Sequence, residues 1–144
     1  MKNKLVNIFI CICIVISMLS INVFASSGTG EVTVPKKGIS IVAKRNITRS
    51  RNCSYVLVSV RAVTPIPPYN VDTYSKCKAA LYIPENKDFK NPTLISDWCT
   101  ITEGKAATQI KLKEGRLMVQ KFNLNFKGNN THCAAVINYS YNGL

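Results

Sequence analysis

The chain has 144 residues, with 19 Lys and Arg against seven Asp and Glu, one His, and a formal net charge of +12. That length holds one modest domain, and so lopsided a charge favours anionic partners without specifying a fold. A single histidine and seven scattered carboxylates leave most acid–base and metal chemistries without their residues.

The first segment reads as a targeting signal. Lys2 and Lys4 precede an uncharged stretch from Leu5 to Phe24, unbroken in its apolar character from Ile8 to Ile16, and Val23-Phe24-Ala25 offers a small-residue exit. A basic start, an apolar middle and a small-residue end make a secretory signal removed after Ala25. The stretch just reaches the roughly 20 residues of a membrane span, but Asn7, Ser17, Ser20 and Asn22 interrupt it. Cys11 and Cys13 lie mid-run, not at a lipid-anchor position, and there is no twin arginine. The expected product is a secreted chain of residues 26–144, with 17 basic and seven acidic residues and a net charge of +10. It keeps four cysteines, Cys53, Cys77, Cys99 and Cys133; in an exported chain an even number implies two disulfides.

Residues 26–37, with Ser, Gly, Thr and Pro35, read as a flexible N-terminal segment before a single domain at 38–144. From Gly38 on, short runs of β-branched and aromatic residues alternate with turn residues. The predicted strands are Ile39–Lys44, Ser54–Val63, Cys77–Ile83, Thr93–Thr102, Ala107–Lys113, Arg116–Phe126 and Thr131–Tyr141. Thr64-Pro65-Ile66-Pro67-Pro68-Tyr69-Asn70 ends the second run, because proline cannot continue a ladder. Glu114-Gly115 joins the fifth and sixth as a hairpin. About seven strands and no helix predict an all-β fold, a small disulfide-stabilised antiparallel β-sandwich.

If Cys77–Ile83 and Thr93–Thr102 pair around the 84–92 loop with Ile83 opposite Thr93, Cys77 falls opposite Cys99, close to disulfide reach. Cys53 then pairs with Cys133.

Motifs for chemistry are missing. His132 precedes Cys133, and neighbours on a strand point to opposite faces, so the two cannot act as base and nucleophile. Asp97 is the one carboxylate inside a predicted strand; placed inward beside Cys99 it needs an ion-pair partner. There is no zinc or calcium spacing and no phosphate loop. The expectation is a protein with no enzymatic activity, no cofactor and no metal.

Charge is more informative. Between Glu31 and Asp72 there is no acid, and seven basic residues fall there. The expected binding residues are Lys44, Arg45, Arg49, Arg51 and Arg61, with Tyr69 beside the Pro-rich loop. Trp98, on the face of Leu94, reads as core. Asn46, Asn52, Asn129 and Asn138 open N-glycosylation acceptor patterns, which matter only in a eukaryotic host. The leading expectation is a secreted cationic binding module for an anionic surface or polymer, an envelope glycan or lipid head groups, with nucleic acid disfavoured by export. The alternatives are a membrane-acting, bacteriocin-like toxin inserting an apolar 106–126 hairpin, and a secreted inhibitor or adhesion ligand that binds a protein through the Pro-rich loop.

Overall fold

A computed structural model describes residues 25–36, 38–50, 53–67, 75–84, 92–128 and 133–144. Residues 1–24 of the expected 1–25 signal, Arg51, Tyr69 and His132 lie outside the described residues. Nine strands are present among the described residues: β1 (Ser27–Val34), β2 (Ile41–Thr48), β3 (Tyr55–Pro65), β4 (Lys76–Ile83), β5 (Thr93–Leu94), β6 (Cys99–Thr102), β7 (Thr108–Lys111), β8 (Lys121–Gly128) and β9 (Ala135–Asn142). They form two antiparallel sheets. The first runs β1-β9-β3-β7; the second runs β2-β8-β4, with β5 and β6 on the free side of β4. The fold is all-β and sandwich-like, as expected.

The period-two alternation accounts for the core. Val56, Val58 and Val60 of β3 and Ala135, Ile137 and Tyr139 of β9 face Cys77, Ala79 and Leu81 of β4 and Phe122, Leu124 and Phe126 of β8, all in one buried cluster.

The segment expected as a flexible tail contains a strand. Ser27–Val34 pairs along its whole length with β9, from Ser27 opposite Asn142 to Val34 opposite Ala135. Its Ser, Gly and Thr content hid the strand, and the reason for that content is steric. Gly28 and Gly30 stand opposite Tyr141 and Tyr139, and a Cβ at Gly30 would lie 2.6 Å from the Tyr139 hydroxyl oxygen. Glycine in a strand commonly marks such a close approach. Tyr139 packs on Phe126 with ring centroids 5.0 Å apart and donates its hydroxyl proton to the carbonyl of Ala43 in the opposite sheet at 3.0 Å.

Other expectations also change. β2 continues past Lys44 to Thr48 through two register irregularities and a positive φ of 53° at Asn46, a conformation asparagine tolerates better than most residues. The 107–126 hairpin does not form. β7 pairs with β3 in the first sheet, whereas β8 lies between β2 and β4 in the second.

The cysteine geometry is corrected as well. Ile83 does pair with Thr93, but further along Ala79 pairs with Cys99 and Cys77 with Ile101, a slip of two residues. Cys77 and Cys99 are therefore diagonal, about 7–8 Å apart, where a disulfide prefers a Cα separation of about 4.4–6.8 Å. β3 and β9 are antiparallel, with Leu57 opposite Asn142 and Pro65 opposite Ala135. Cys53, before β3, and Cys133, before β9, thus sit at opposite ends of the sandwich, on the order of 30 Å apart at strand rise. All four are free thiols in this structure.

Two outcomes follow from this packing. Gly30→Ala forces Tyr139 off its seat and lowers stability in urea unfolding by about 1–3 kcal/mol; Gly28→Ala, whose Cβ would meet the Tyr141 hydroxyl at 3.0 Å, costs less. Burial pushes the Cys77 thiol from its ordinary 9.0 up to about 12. The unfolded chain deprotonates first, so this contribution is complete below about pH 9 and is lost between about pH 9 and 12, by up to about 1.4 kcal/mol per pH unit. Under a phosphine reductant, Cys77→Ala shows a shallower alkaline loss than the parent, while an unchanged slope would assign the loss to Cys99 and Tyr139, which burial also raises.

Candidate functional site

The two sheets differ sharply in charge. The strands of the second carry Lys44, Arg45, Lys76, Lys78, Lys121 and Lys127 and no carboxylate. Those of the first carry Glu31, Arg61 and Lys111. Because the chain crosses repeatedly between the two sheets, this separation is invisible along the sequence.

The outer face of the second sheet is built from residues one step out of phase with its core stripe. On β4 these are Lys78, Ala80 and Tyr82; on β8 they are Lys127, Asn125 and Asn123, paired with them in that order. Trp98 joins this face from the segment between β5 and β6. Its ring meets Tyr82 edge-on at 6.1 Å between centroids, and the Lys127 ammonium lies 4.1 Å from its centroid. Tyr82 and Lys127 flank Ala80 on the face, so the indole lies across Ala80. Ala80 is completely buried although it points away from the core, and its small side chain leaves room for the ring. The expectation that Trp98 is core is corrected: its shared face with Leu94 is the outer one, Leu94 standing opposite Tyr82.

The register slip puts the indole there. Where β5 ends and β6 has not begun, the ladder to β4 would leave the Leu81 N–H without a partner. Ser96, fully buried, accepts that proton on its hydroxyl oxygen at 2.8 Å, while the Ile95 N–H bonds the Leu81 carbonyl at 2.9 Å. The chain thereby absorbs two extra residues without an unpaired donor. Asp97, at the crest of this detour, is not buried beside Cys99: its side chain is 87% exposed and pairs with Lys113 at 3.3 Å.

Two asparagines complete the face. Asn123 accepts the Asn46 N–H at 3.1 Å. Asn125 donates to the Ser40 hydroxyl at 3.1 Å, but its buried Oδ1 has no donor. An unpartnered buried acceptor costs about 1–3 kcal/mol, which makes its place next to Ala80 and under the reach of Trp98 and Lys127 a feature to explain. The arrangement offers an indole and a tyrosine ring meeting edge-on, the Lys127 ammonium stacked on the indole with Lys78 opposite it on β4, and amides for hydroxyl recognition. It offers no nucleophile–base pair, and no group of three His, Cys, Asp or Glu suited to a metal occurs among the described residues.

The residues expected to bind do not converge. Lys44 and Arg45 are exposed on β2 at the edge of the second sheet, and Arg61 is exposed at a β-bulge of β3 in the first. Arg49 is 1% exposed and is therefore not a surface cation. The alternation along β4 turns Lys78 and Tyr82 outward, but Lys127, Asn125 and Trp98 could not be recognised in the sequence as their neighbours, because nothing local shows that β4 and β8 are adjacent.

A comparison of this chain with protein-family models, curated proteins and solved structures finds no match.

The role of Ser96 is testable through the chain's one tryptophan. Ser96→Ala leaves the Leu81 N–H unpaired, lowers stability by about 1–3 kcal/mol, and shifts tryptophan emission to longer wavelength as the segment carrying Trp98 loosens. Chemical unfolding followed by fluorescence reads both.

Proposed function

We propose that this protein is an exported, non-enzymatic module that binds an anionic polysaccharide through the outer face of its second sheet. The observation that carries this reading is the Trp98 platform with Lys127 over its ring and Asn125 beside it, on a sheet whose strands hold six cations and no acid. A sugar ring presents an apolar face that packs on the indole when the Lys127 ammonium swings from above the ring onto the polymer's anionic substituent, and its hydroxyls suit amide partners. Carboxylate or phosphate substituents on the polymer meet Lys78 and Lys127, which steer association as well as hold it. Export and the absence of turnover rest on the N-terminal signal pattern and on the residue inventory of the sequence.

An anionic polymer is favoured over a lipid surface for two reasons. The aromatic residues sit on the sheet face with Tyr82 meeting the Trp98 indole edge-on at 64° between planes, a corner that a single sugar ring fills. The 106–126 segment, which membrane insertion would draw on, is divided between the two sheets.

The test uses polygalacturonate, with its methyl ester as an uncharged polymer of the same backbone, followed by calorimetry over a salt series. Polygalacturonate binds and weakens with salt; the ester binds at least about tenfold more weakly, a gap of about 1.4 kcal/mol. Trp98→Ala reduces polygalacturonate affinity at least about tenfold, and the double change Lys78→Gln with Lys127→Gln flattens the salt dependence. Arg45→Gln, at the sheet edge, changes little. Equal affinity for the ester, or full binding by Trp98→Ala, would remove this face as the site.

A further inference from the structure

At the end of the sandwich where β2 meets the chain terminus, Arg49 is the largest fully buried side chain. Its backbone N–H continues the β2–β8 ladder by bonding the Gln120 carbonyl at 2.9 Å. Its guanidinium donates to the carbonyls of Ser50 at 2.8 Å, Val119 at 3.2 Å and Leu117. These are neutral oxygens. Of the five N–H donors on a guanidinium, the one on Nε is buried and has no partner. No carboxylate pairs with Arg49 among the described residues; the ion pair there joins Lys113 to Asp97. Burial lowers the Arg49 pKa from its ordinary value, with the nearby Cys53 thiol acting the other way, yet arginine stays protonated in proteins. A charge held out of water with only carbonyl dipoles around it is costly.

That cation lines a cleft of about 390 Å³ together with Leu117, Met118 and Gln120. The volume is at the lower end of small-ligand pockets, about 300–1,000 Å³. The lip is apolar: Leu117 is 50% and Met118 91% exposed, two of the few large hydrophobic side chains left in water. Loop packing accounts for the three carbonyl bonds. It does not account for an unneutralised charge, a free Nε proton and an exposed apolar lip at one place.

We propose that this cleft binds a small amphiphilic carboxylate, a monoanion with a short hydrocarbon tail. The carboxylate lies against Arg49 where that residue borders the cleft and neutralises the guanidinium; the tail covers Leu117 and Met118. One buried cation calls for one negative charge, and the cleft's size calls for a short chain in place of a phospholipid. This site is separate from the Trp98 face and does not rest on the polysaccharide reading.

Calorimetric titration of the whole protein with octanoate is the test, with octan-1-ol supplying the tail without the charge and acetate the charge without the tail. Octanoate binds saturably at one site per chain with Kd below about 1 mM; octanol and acetate bind at least about tenfold more weakly. Leu117→Ser and Met118→Ser, at positions exposed enough to fold normally, each weaken octanoate several-fold with the melting temperature unchanged. Arg49→Gln abolishes binding if the variant folds, and the two lip variants carry the test if it does not. Trp98→Ala leaves octanoate binding intact. Absence of saturable binding, octanol matching octanoate, lip variants that bind normally, or loss of binding in Trp98→Ala would each overturn the proposal.

Discussion

The fold depends on the last two strands occupying the centres of the two sheets. β9 receives β1 on one side and β3 on the other, while β8 receives β2 and β4. The amino-terminal strands are edges: β1 has no ladder but the one with β9, and β2 none but the one with β8. Pairings as distant as Ser27 with Asn142 carry a large loop-closure cost and reward it only when both sheets close over a common interior. Tyr139 joins the two layers directly, with its ring against Phe126 and its hydroxyl on the Ala43 carbonyl. The glycine opposite it in β1 is the space that this contact requires.

The candidate site follows from a departure from that regularity. An unbroken ladder from Thr93 to Thr102 would keep Ile83 opposite Thr93 in phase with Cys77 opposite Cys99, with no surplus residues between. The Ser96 hydroxyl allows the chain to leave β4, insert two residues and rejoin it. One polar side chain thus stands in for a backbone group, and the detour lays an indole over Ala80 on the outside of the sheet. The same slip separates Cys77 from Cys99. Local irregularity that costs no hydrogen bond is a general way for a sheet to present a side chain that the pleat would otherwise aim elsewhere.

Charge is distributed in the same spirit. The cations of this chain look dispersed in sequence, yet the strands of the second sheet collect six and no acid. Arg49, read as part of an exposed cluster, instead goes inside and holds the 117–119 turn by its carbonyls. An exposed lysine edge and a buried arginine have opposite electrostatic meanings: the first is screened and inexpensive, whereas the second is a standing demand for a counter-charge.

Much of the architecture was legible in the residues themselves. Alternating Val56, Val58 and Val60, or Cys77, Ala79 and Leu81 alternating with Lys78 and Tyr82, can satisfy water and core together only as strands, so element type and inward face followed from period-two patterning. The strong positive charge and the poverty of catalytic groups were likewise matters of inventory. Partnership was not legible. β1 looked like a tail because glycine and serine carry no hydrophobic signal, and only its tyrosine neighbours on β9 explain them. The 107–126 segment looked like a hairpin because a turn signal does not say whether the chain doubles back in one sheet or crosses to the other. Cys77 and Cys99 seemed to match because counting assumes an unbroken ladder. The site itself arises where β4, β8 and the 95–98 detour meet, and such a meeting is decided by the closure of the core, a property of the whole chain that no stretch of sequence contains.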